Sequence, residues 1–231
     1  MRPTALRRGY AGFPEPVIVQ VFEGGVARTG GGQAPPLGRA KRTRIPMIQE
    51  LILPSDEIPP HLKCQILSFL RIMWPEGFVG KNRLRDWISS PENHSVSIVL
   101  VEHDILISHT EVVWKYLDHA GENYKAYGLS GVFTYPAFRR QGYGKRIVEK
   151  GTAYIETSDA DIGVFHCDKS LKGFYASSGW IPMETAVTFV GAKDSPVISS
   201  ELMMMRFLSQ HGKKGRPAFE RAPLYFGEET W

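Results

Sequence analysis

Apolar and polar residues recur along the chain with two different periods, which predict helices and strands. Apolar residues with helical spacing at Leu62, Ile66, Phe69, Leu70 and Met73 predict a helix. Runs rich in β-branched and aromatic residues predict strands at 96–101, 105–116, 124–134, 162–166, 185–190 and 200–208. Further helices are predicted at 82–88, 145–157 and 170–177.

The order of these elements predicts the fold class. Two helices, three strands, and then helix, strand, helix and two more strands are typical of an α/β (α+β) domain, in which a mixed sheet carries helices on both faces. A chain of 231 residues is long enough for one such domain with a sizeable core. We predict a single domain at residues 47–231.

Residues 1–46 differ from the rest in composition. They hold eight glycines, six prolines and eight arginines and lysines against two glutamates. Such a segment buries too little apolar surface to offset the entropy of ordering. We therefore predict a disordered or non-native N-terminal extension, with Met47 as the true start. An organelle transit peptide is the alternative, although a clear amphipathic helix is missing.

Charge and cysteine content narrow the class of partner. The chain carries +4 and residues 1–46 alone carry +6, so residues 47–231 carry −2, which is not typical of a nucleic-acid-binding domain. Cys64 and Cys167 lie far apart without a metal-binding or disulfide motif. No apolar run is long enough to span a membrane. We expect a soluble cytoplasmic protein with no metal, no nucleic-acid partner and no membrane partner.

The segment after Thr134 carries the first chemical motif. Arg139, Gly142 and Gly144 form the pattern R-x-x-G-x-G between a predicted strand and a predicted helix. A glycine-rich turn at a helix start leaves backbone N–H groups unpaired and pointing the same way, which suits a phosphate or pyrophosphate. The pattern is neither the three-glycine dinucleotide fingerprint nor a Walker loop. Alone, it is explained equally well by a simple tight turn.

A second motif follows, in which Tyr175, Gly179 and Trp180 form the pattern Y-x-x-x-G-W. The two motifs in this order, with Gly144 and Gly179 separated by 35 positions, resemble the signatures of the GCN5-related N-acetyltransferase (GNAT) superfamily. The resemblance covers residues 60–208. It implies the GNAT fold, with a largely antiparallel central sheet splayed at an acetyl-CoA site, and an acetyl-CoA-dependent N-acetyltransferase.

The resemblance also implies roles for individual residues. The pantetheine arm of acetyl-CoA, the co-substrate, would lie along the splayed strand, and the pyrophosphate would bind the amides of the loop. The implied acetyl-CoA-binding residues are Val132, Phe133, Thr134, Arg139, Arg140, Gln141, Gly142, Tyr143, Gly144 and Lys145. Tyr175 would protonate the departing thiolate as general acid. Simple packing in the core is the alternative role for this ring.

The acceptor amine must lose a proton before it attacks, so a base is needed. Glu111 is the candidate base, because it lies on the strand before the splayed one, where alternate side chains face the acceptor side. His109 shares that face and is a rival base, as is His166 at the end of the next strand. Cys167 could suggest an acyl-thiol intermediate, but the neighbouring Asp168 would raise the pKa of the thiol.

Within the superfamily the chain is similar to aminoglycoside 2′-N-acetyltransferases. The similarity rests on the stretches 107–109, 127–132, 174–182 and 227–231. It implies a 2′-N-acetylating enzyme of antibiotic resistance that acts on a small amino sugar. The implied substrate-binding residues are Asp86, Ser130, Gly131, His166, Glu229 and Trp231. Among these, Glu229 and the carboxylate of the final Trp231 would hold the cationic sugar.

Three departures from the family pattern modify the expected acceptor. Ser130 stands where the family places a pocket glutamate, Lys81 stands at another acidic position, and Gly212-Lys-Lys-Gly-Arg-Pro is inserted near the end. A less acidic pocket with a lysine would suit an aminoglycoside that carries a carboxylate, such as kasugamycin. The expected reaction is direct attack in a ternary complex.

Alternatives stay open. The acceptor could be a polyamine, a peptide or a protein amine, or the chain could be a non-catalytic acyl-CoA-binding module. A pocket closed by the C-terminal tail would favour a small acceptor, and an open groove would favour a peptide. Folds of this kind often pair through exposed strands, so a possible homodimer is a further expectation.

Overall fold

The structure is a computed structural model that describes residues 48–228 and 230–231. The predicted extension at 1–46 lies outside the described residues. The helices and strands are β1 (Gln49–Pro54), α1 (Pro60–Met73), β2 (Val96–Glu102), β3 (Ile105–His119), β4 (Glu122–Thr134), α2 (Tyr143–Glu156), β5 (Ile162–Cys167), α3 (Lys172–Ala176), β6 (Ile181–Pro182), β7 (Thr188–Val190), β8 (Val197–Ile198), β9 (Leu202–Phe207), α4 (Gln210–Arg221) and β10 (Leu224–Gly227).

A seven-stranded sheet forms the centre of the fold. Its strand order is β1-β2-β3-β4-β5-β9-β6. Strands β4 and β5 are parallel neighbours, and the other neighbouring strands are antiparallel. A smaller sheet has the order β10-β7-β8. The predicted fold class, a mixed and largely antiparallel sheet with helices, is confirmed.

Helices α1 and α2 cover opposite faces of the central sheet. Leu70 of α1 and His109 of β3 both lie 3.4 Å from the point where a Cβ atom on Gly131 would stand. Thr110, the next residue of β3, instead lies against Gly151 of α2. Because successive side chains of a strand point to opposite faces, the two helices lie on opposite sides of β3. We call these the α1 face and the α2 face.

Strands β4 and β5 pair over only two residues of each. Ala126 pairs with Ile162 and Tyr127 with Gly163, although β4 continues to residue 134 and β5 to residue 167. Beyond the pairs the strands separate. We call the space between residues 128–134 and 164–167 the β4–β5 gap. The splayed sheet that the family resemblance implied is therefore present.

A bulge in β4 accompanies the gap. Ser130 pairs with Glu111 and Phe133 with His109, so β4 has one more residue than β3 between these two pairs. Gly131 in the bulge has a φ of 55°, a left-handed conformation that costs glycine little. The extra residue changes the direction of β4 just before it reaches the loop at 135–142.

One predicted helix is wrong. Residues 82–88 are irregular apart from the end of a single 3₁₀ turn, Gly80–Asn82. Their main chain bonds to other parts of the fold instead. Arg71 of α1 donates to the carbonyl oxygens of Arg83 and Arg85, each at 3.3 Å. These long-range contacts replace the local bonds that a helix would make.

Helix α4 is an element that the sequence pattern does not predict. It contains the stretch Gly212-Lys-Lys-Gly-Arg-Pro, and glycine and proline lower helix propensity. The helix forms because the Ser209 hydroxyl accepts the Gly212 N–H at 3.0 Å as an N-cap, and because Phe219 is fully buried. Strands β1, β6, β8 and β10 are also absent from the prediction.

Candidate active site

The loop between β4 and α2 has the geometry of an anion-binding site. Arg140 has a φ of 62° and Gly142 a φ of 85°, and Gly142 is the N-cap of α2. The first helical bond runs from the Arg146 N–H to the Gly142 oxygen at 3.0 Å. Within the described part of the chain, the N–H groups of residues 140–145 have no acceptor. Six donors at a helix start suit a pyrophosphate.

The side chains of this loop have different tasks. Arg139 Nε donates to the Thr134 oxygen at 3.0 Å, and Gln141 Nε2 donates to the Ala137 oxygen at 3.3 Å. These two bonds fix the loop. Lys145 is exposed, with Nζ 3.7 Å from Glu149 on the next turn, so its charge remains accessible to an anion. Arg140 is also exposed, and Tyr143, the first residue of α2, is half-buried.

The predicted pantetheine track lies along the edge of β4 that faces the gap. The Phe133 ring is buried and lies 4.5 Å from the ring of Phe69, between centroids. Ser108 Oγ donates to the Phe133 oxygen at 2.7 Å and lies 2.8 Å from Thr134 Oγ1. Val132 is half-buried. Because β5 no longer pairs with this part of β4, one strand edge stays open to an amide-rich ligand.

Tyr175 lies on the α2 face beside the end of β5. Its ring packs on Phe165 and Phe174, with centroid distances of 4.6 and 4.9 Å. Burial, with a smaller contribution from the Cys167 thiol, raises the pKa of the Tyr175 phenol far above its ordinary value. The phenol therefore keeps its proton at neutral pH, as a general acid must.

The environment of Cys167 makes its thiol unsuited to act as a nucleophile. Burial raises the pKa of its thiol to about 11, and Glu201 and Asp168 add to this effect. A thiol that stays protonated at neutral pH is a poor nucleophile. This supports the direct-attack expectation over an acyl-thiol intermediate.

Glu111 is fully buried on the α1 face of β3. One carboxylate oxygen accepts the Trp87 indole N–H, and the other accepts the Ser89 hydroxyl at 2.6 Å. Burial raises the pKa of Glu111, while these donors oppose the shift. Its neighbour across the sheet is Ser130, beside the β4 bulge.

His109, the rival base, has both ring nitrogens engaged. Nδ1 lies 2.8 Å from the Gly131 oxygen, and Nε2 lies 3.2 Å from Ser97 Oγ. A carbonyl oxygen only accepts, so Nδ1 carries the proton and Nε2 accepts from the serine. Burial lowers the pKa of His109 to about 4. This geometry gives His109 a structural task, which is to hold the carbonyl group of the bulge.

The predicted acceptor-side residues are partly brought together. Ser130 and Gly131 lie at the bulge, next to Glu111. Asp86 is exposed, and its carboxylate lies 2.9 Å from Lys63 Nζ, which lowers the pKa of Asp86. Glu229 and the side chain of Lys81 lie outside the described residues.

His166 lies on β5 beyond the last β4–β5 pair, and Trp231 contacts it there. The His166 N–H donates to the main-chain oxygen of Trp231 at 2.8 Å. The Trp231 ring lies so close to Gly128 that a Cβ atom there would overlap it. The His166 ring is buried, with Nε2 3.2 Å from Thr188 Oγ1. Burial and the charge of Lys115 lower the pKa of His166 to about 4.

Sequence reasoning missed three residues of this region. Trp87 falls in the falsely predicted helix and Ser89 directly follows it, and both bond to Glu111 across more than 20 positions. Lys115 lies on β3, where its Nζ donates to the Phe226 oxygen at 2.6 Å and stands 4.8 Å from the Trp231 ring centroid. Burial lowers the pKa of Lys115 to about 8. Lys115 has no local motif that would mark it.

The comparison with protein families identifies the chain. Residues 53–183 match the model described as an acetyltransferase (GNAT) domain. The match covers more than half of the chain, so the chain belongs to the GNAT acetyltransferases. It is an N-acetyltransferase that uses acetyl-CoA, as the loop geometry at residues 140–145 also indicates.

Several solved structures are similar to the chain. ElaA from Escherichia coli is 17% identical, with a TM-score of 0.49 over 69% of this chain and 99% of that one. An aminoglycoside 6′-N-acetyltransferase complexed with coenzyme A is 15% identical, with a TM-score of 0.49 over 69% and 97%. An acyl-CoA N-acyltransferase from Pseudomonas aeruginosa is 15% identical, with a TM-score of 0.45 over 69% and 99%. No curated protein matches the chain.

Residues 48–228 and 230–231 contain no group of three or more His, Cys, Asp or Glu side chains that could hold a metal ion. In the same part of the chain no helix is long and apolar enough to cross a bilayer.

Proposed function

We propose that the chain acetylates a primary amine of a small amino sugar of the aminoglycoside type, by direct attack of the amine on acetyl-CoA. The observation that carries this proposal is the division of the candidate groups between the two faces at the β4–β5 gap. Tyr175 packs in the core of the α2 face, next to the anion-binding loop. Glu111 of β3, with Ser130 and Gly131 of the adjoining β4, lies on the α1 face.

This division supports a ternary complex with one substrate on each side of the sheet. The loop and the open edge of β4 would hold the CoA moiety on the α2 side. The acceptor would approach from the α1 side, beside Ser130. The two substrates would then meet in the gap with their reacting atoms in line, which is how an enzyme avoids a covalent intermediate.

The protein groups would act in a fixed order. Glu111, directly or through a water molecule, would take a proton from the acceptor ammonium, so that the nitrogen lone pair forms the N–C bond. As the C–S bond breaks, the sulfur keeps the electron pair, and the Tyr175 hydroxyl would give it a proton. The Tyr175 phenol, which burial keeps protonated, suits this step. The nitrogen of the new amide would lose its second proton, which restores the Tyr175 phenol. The proton taken by Glu111 would pass to solvent.

The choice of an amino sugar rests on the likeness to aminoglycoside 2′-N-acetyltransferases and on the acceptor-side residues. Asp86, His166, Glu229 and Trp231 would border the sugar. Ser130 and Lys81, in place of acidic residues, favour an acceptor that carries a carboxylate, and kasugamycin is the proposed example. Acetylation at the 2′-amine would give antibiotic resistance.

A thiol-release assay with acetyl-CoA tests this function. The acceptor panel is kasugamycin, gentamicin, tobramycin, spermidine and a lysine-containing peptide, with reactions lacking acceptor as the control. We expect turnover of kasugamycin and, by NMR of the product, an acetyl group on the 2′-nitrogen. Turnover of gentamicin and tobramycin alone would contradict the carboxylate argument. Turnover of spermidine or the peptide alone would contradict the amino-sugar proposal.

A further inference from the structure

The segment 83–90 between α1 and β2 is tied to Glu111 by two side chains. The Trp87 indole N–H donates to Oε1, and the Ser89 hydroxyl donates to Oε2 at 2.6 Å. Each carboxylate oxygen thus has its own donor from the same segment. The Glu111 side chain is fully buried, so these bonds take the place of water.

The segment itself is held in place from α1. Arg71 donates to the carbonyl oxygens of Arg83 and Arg85, and Lys63 Nζ lies 2.9 Å from Asp86 Oδ2. Residues 83–86 are therefore fastened to α1, and the next residues reach down to β3. The segment therefore covers the Glu111 side chain on the α1 face.

The two donors suit a carboxylate that takes part in proton transfer. An indole N–H can only donate, and a carboxylate has about four acceptor positions, of which the two bonds use two. Ser95 adds a further side-chain hydrogen bond to the carboxylate, so its protein partners are neutral donors. Donors of this kind stabilise the ionised form of a buried acid and fix its orientation.

We propose that Ser89 and Trp87 are positioning residues for the transfer reaction, which hold Glu111 as an oriented carboxylate beside Ser130. The inference rests on the proposed role of Glu111 as base. It adds that the segment 83–90 belongs to the acceptor side of the active site. Neither residue touches the reacting atoms, and both act through Glu111.

Other ionisable groups near Glu111 are accounted for. His109, on the same face of β3, has a pKa lowered by burial to about 4, so it is neutral above pH 5. On the segment, Asp86 is paired with Lys63 and exposed. The titration of the Glu111 carboxyl signal can therefore be followed separately from that of His109 and Asp86.

The test measures the ionisation of Glu111 directly and does not require a known acceptor. Protein with ¹³C at the glutamate side-chain carboxyl carbon is titrated by NMR, and the Glu111 signal is identified by its loss in Glu111→Gln. In Ser89→Ala and in Trp87→Phe we expect the Glu111 pKa to rise by about one unit or more, because each variant removes one bond to a charged group. Ser89→Thr, which keeps a hydroxyl, should restore the original value.

Ser90→Ala is the matched control, because this neighbouring serine makes no bond to Glu111 in the described structure. An unchanged Glu111 pKa in both Ser89→Ala and Trp87→Phe would overturn the proposal. With the best acceptor of the panel, the acidic limb of the kcat/KM profile should move with the NMR titration. A variant that only folds poorly lowers kcat/KM equally at every pH.

If Glu111 is not the base, the NMR and activity measurements would give a different combination of results. If Glu111→Gln keeps full activity and the same pH profile while Ser89→Ala still raises the Glu111 pKa, the base assignment is wrong. Ser89 and Trp87 would then orient a carboxylate that takes no part in proton transfer. Their proposed role as positioning residues for the transfer reaction would be wrong as well. If the NMR value stays unchanged while Glu111→Gln loses activity, only the positioning inference fails.

Discussion

Tyr175 has a proton to give because aromatic rings surround it. Phe165 and Phe174 exclude water from its ring, so the phenolate form is disfavoured. The Cys167 thiol beside it has a pKa raised to about 11 for the same reason. The α2 side of the gap therefore keeps acidic groups in their protonated, neutral form. A protonated acid in this position can readily give its proton to a departing thiolate.

We expect Tyr175→Phe to lower kcat about 100-fold or more, with little change in the KM for acetyl-CoA, because only the proton donor is lost. Steady-state kinetics with the best acceptor measure this. Tyr154→Phe, on a half-buried tyrosine of α2, is the control and should keep full activity. A Tyr175→Phe enzyme with normal kcat would assign the ring to packing alone.

Residues in short motifs could be predicted from the sequence, and residues that act through distant partners could not. The loop at 139–145 and the Tyr175 motif are local, since the strand, the turn and the helix start adjoin in the chain. The pairing of Ser89 with Glu111 joins positions 22 residues apart, and no spacing rule marks it. His109 matched the pattern of a base, and only its bond to Gly131 reveals its structural task.

At the scale of elements, the bulge in β4 connects the core to the ligand track. His109 Nδ1 donates to the Gly131 oxygen at 2.8 Å, and the Ser97 hydroxyl lies 3.2 Å from Nε2. A chain of hydrogen bonds thus runs from β2 through β3 to the bulge. This network fixes where the edge of β4 turns toward residues 132–134.

Gly131→Ala should destabilise the protein and weaken acetyl-CoA binding. The left-handed φ costs about 1–2 kcal/mol for a residue with a Cβ atom. That atom would also stand in contact, at 3.4 Å, with both His109 Cε1 and Leu70 Cδ2, so the strained backbone has little room to relax. We expect a lower free energy of unfolding in urea and a KM for acetyl-CoA raised severalfold.

Gly121→Ala separates these two effects. Gly121 has a φ of 84°, and its Cβ position has no neighbour within 4 Å, so this variant carries only the backbone cost. It should lose similar stability and keep the KM of the parent enzyme. Equal KM values for both variants would show that the bulge does not set the acetyl-CoA site.

The first strands of the central sheet were predictable in outline, because 96–101, 105–116 and 124–134 alternate clearly with turns. The C-terminal part was less accessible to prediction. Helix α4 has glycine and proline inside it, and β10 is a four-residue strand that pairs with a distant β7. Their formation depends on tertiary packing, as the burial of Phe219 and Phe226 indicates.

For the whole molecule, two buried histidines make stability fall in acid, whereas Glu111, whose pKa burial raises, acts in the opposite direction. Burial lowers the pKa of His109 and of His166 to about 4, below the unfolded value of about 6.5. Between these values the unfolded chain binds protons that the folded chain does not. Stability is therefore present above pH 6.5 and is lost as the pH falls toward 4, by up to about 1.4 kcal/mol per pH unit for each histidine.

Urea unfolding at pH 7, 6 and 5 measures this loss. In His109→Gln, which is less stable at every pH because the bulge is disturbed, we expect a slope smaller by the contribution of one proton. Carboxylates with lowered pKa values, such as Glu50 and Asp168, add their losses only at lower pH. Parallel slopes for parent and variant would contradict the assignment to His109.

The contrast between the two cysteines has a practical consequence for enzymology. Cys64 on α1 is exposed, whereas Cys167 is buried beside Tyr175. A disulfide reagent that reports released CoA will therefore also consume one equivalent of Cys64 thiol per enzyme molecule, as a rapid initial phase. Cys167 should react only when the fold opens. The same reagent thus monitors turnover through released CoA. The delayed reaction of the second thiol, Cys167, reports when the fold around the site opens.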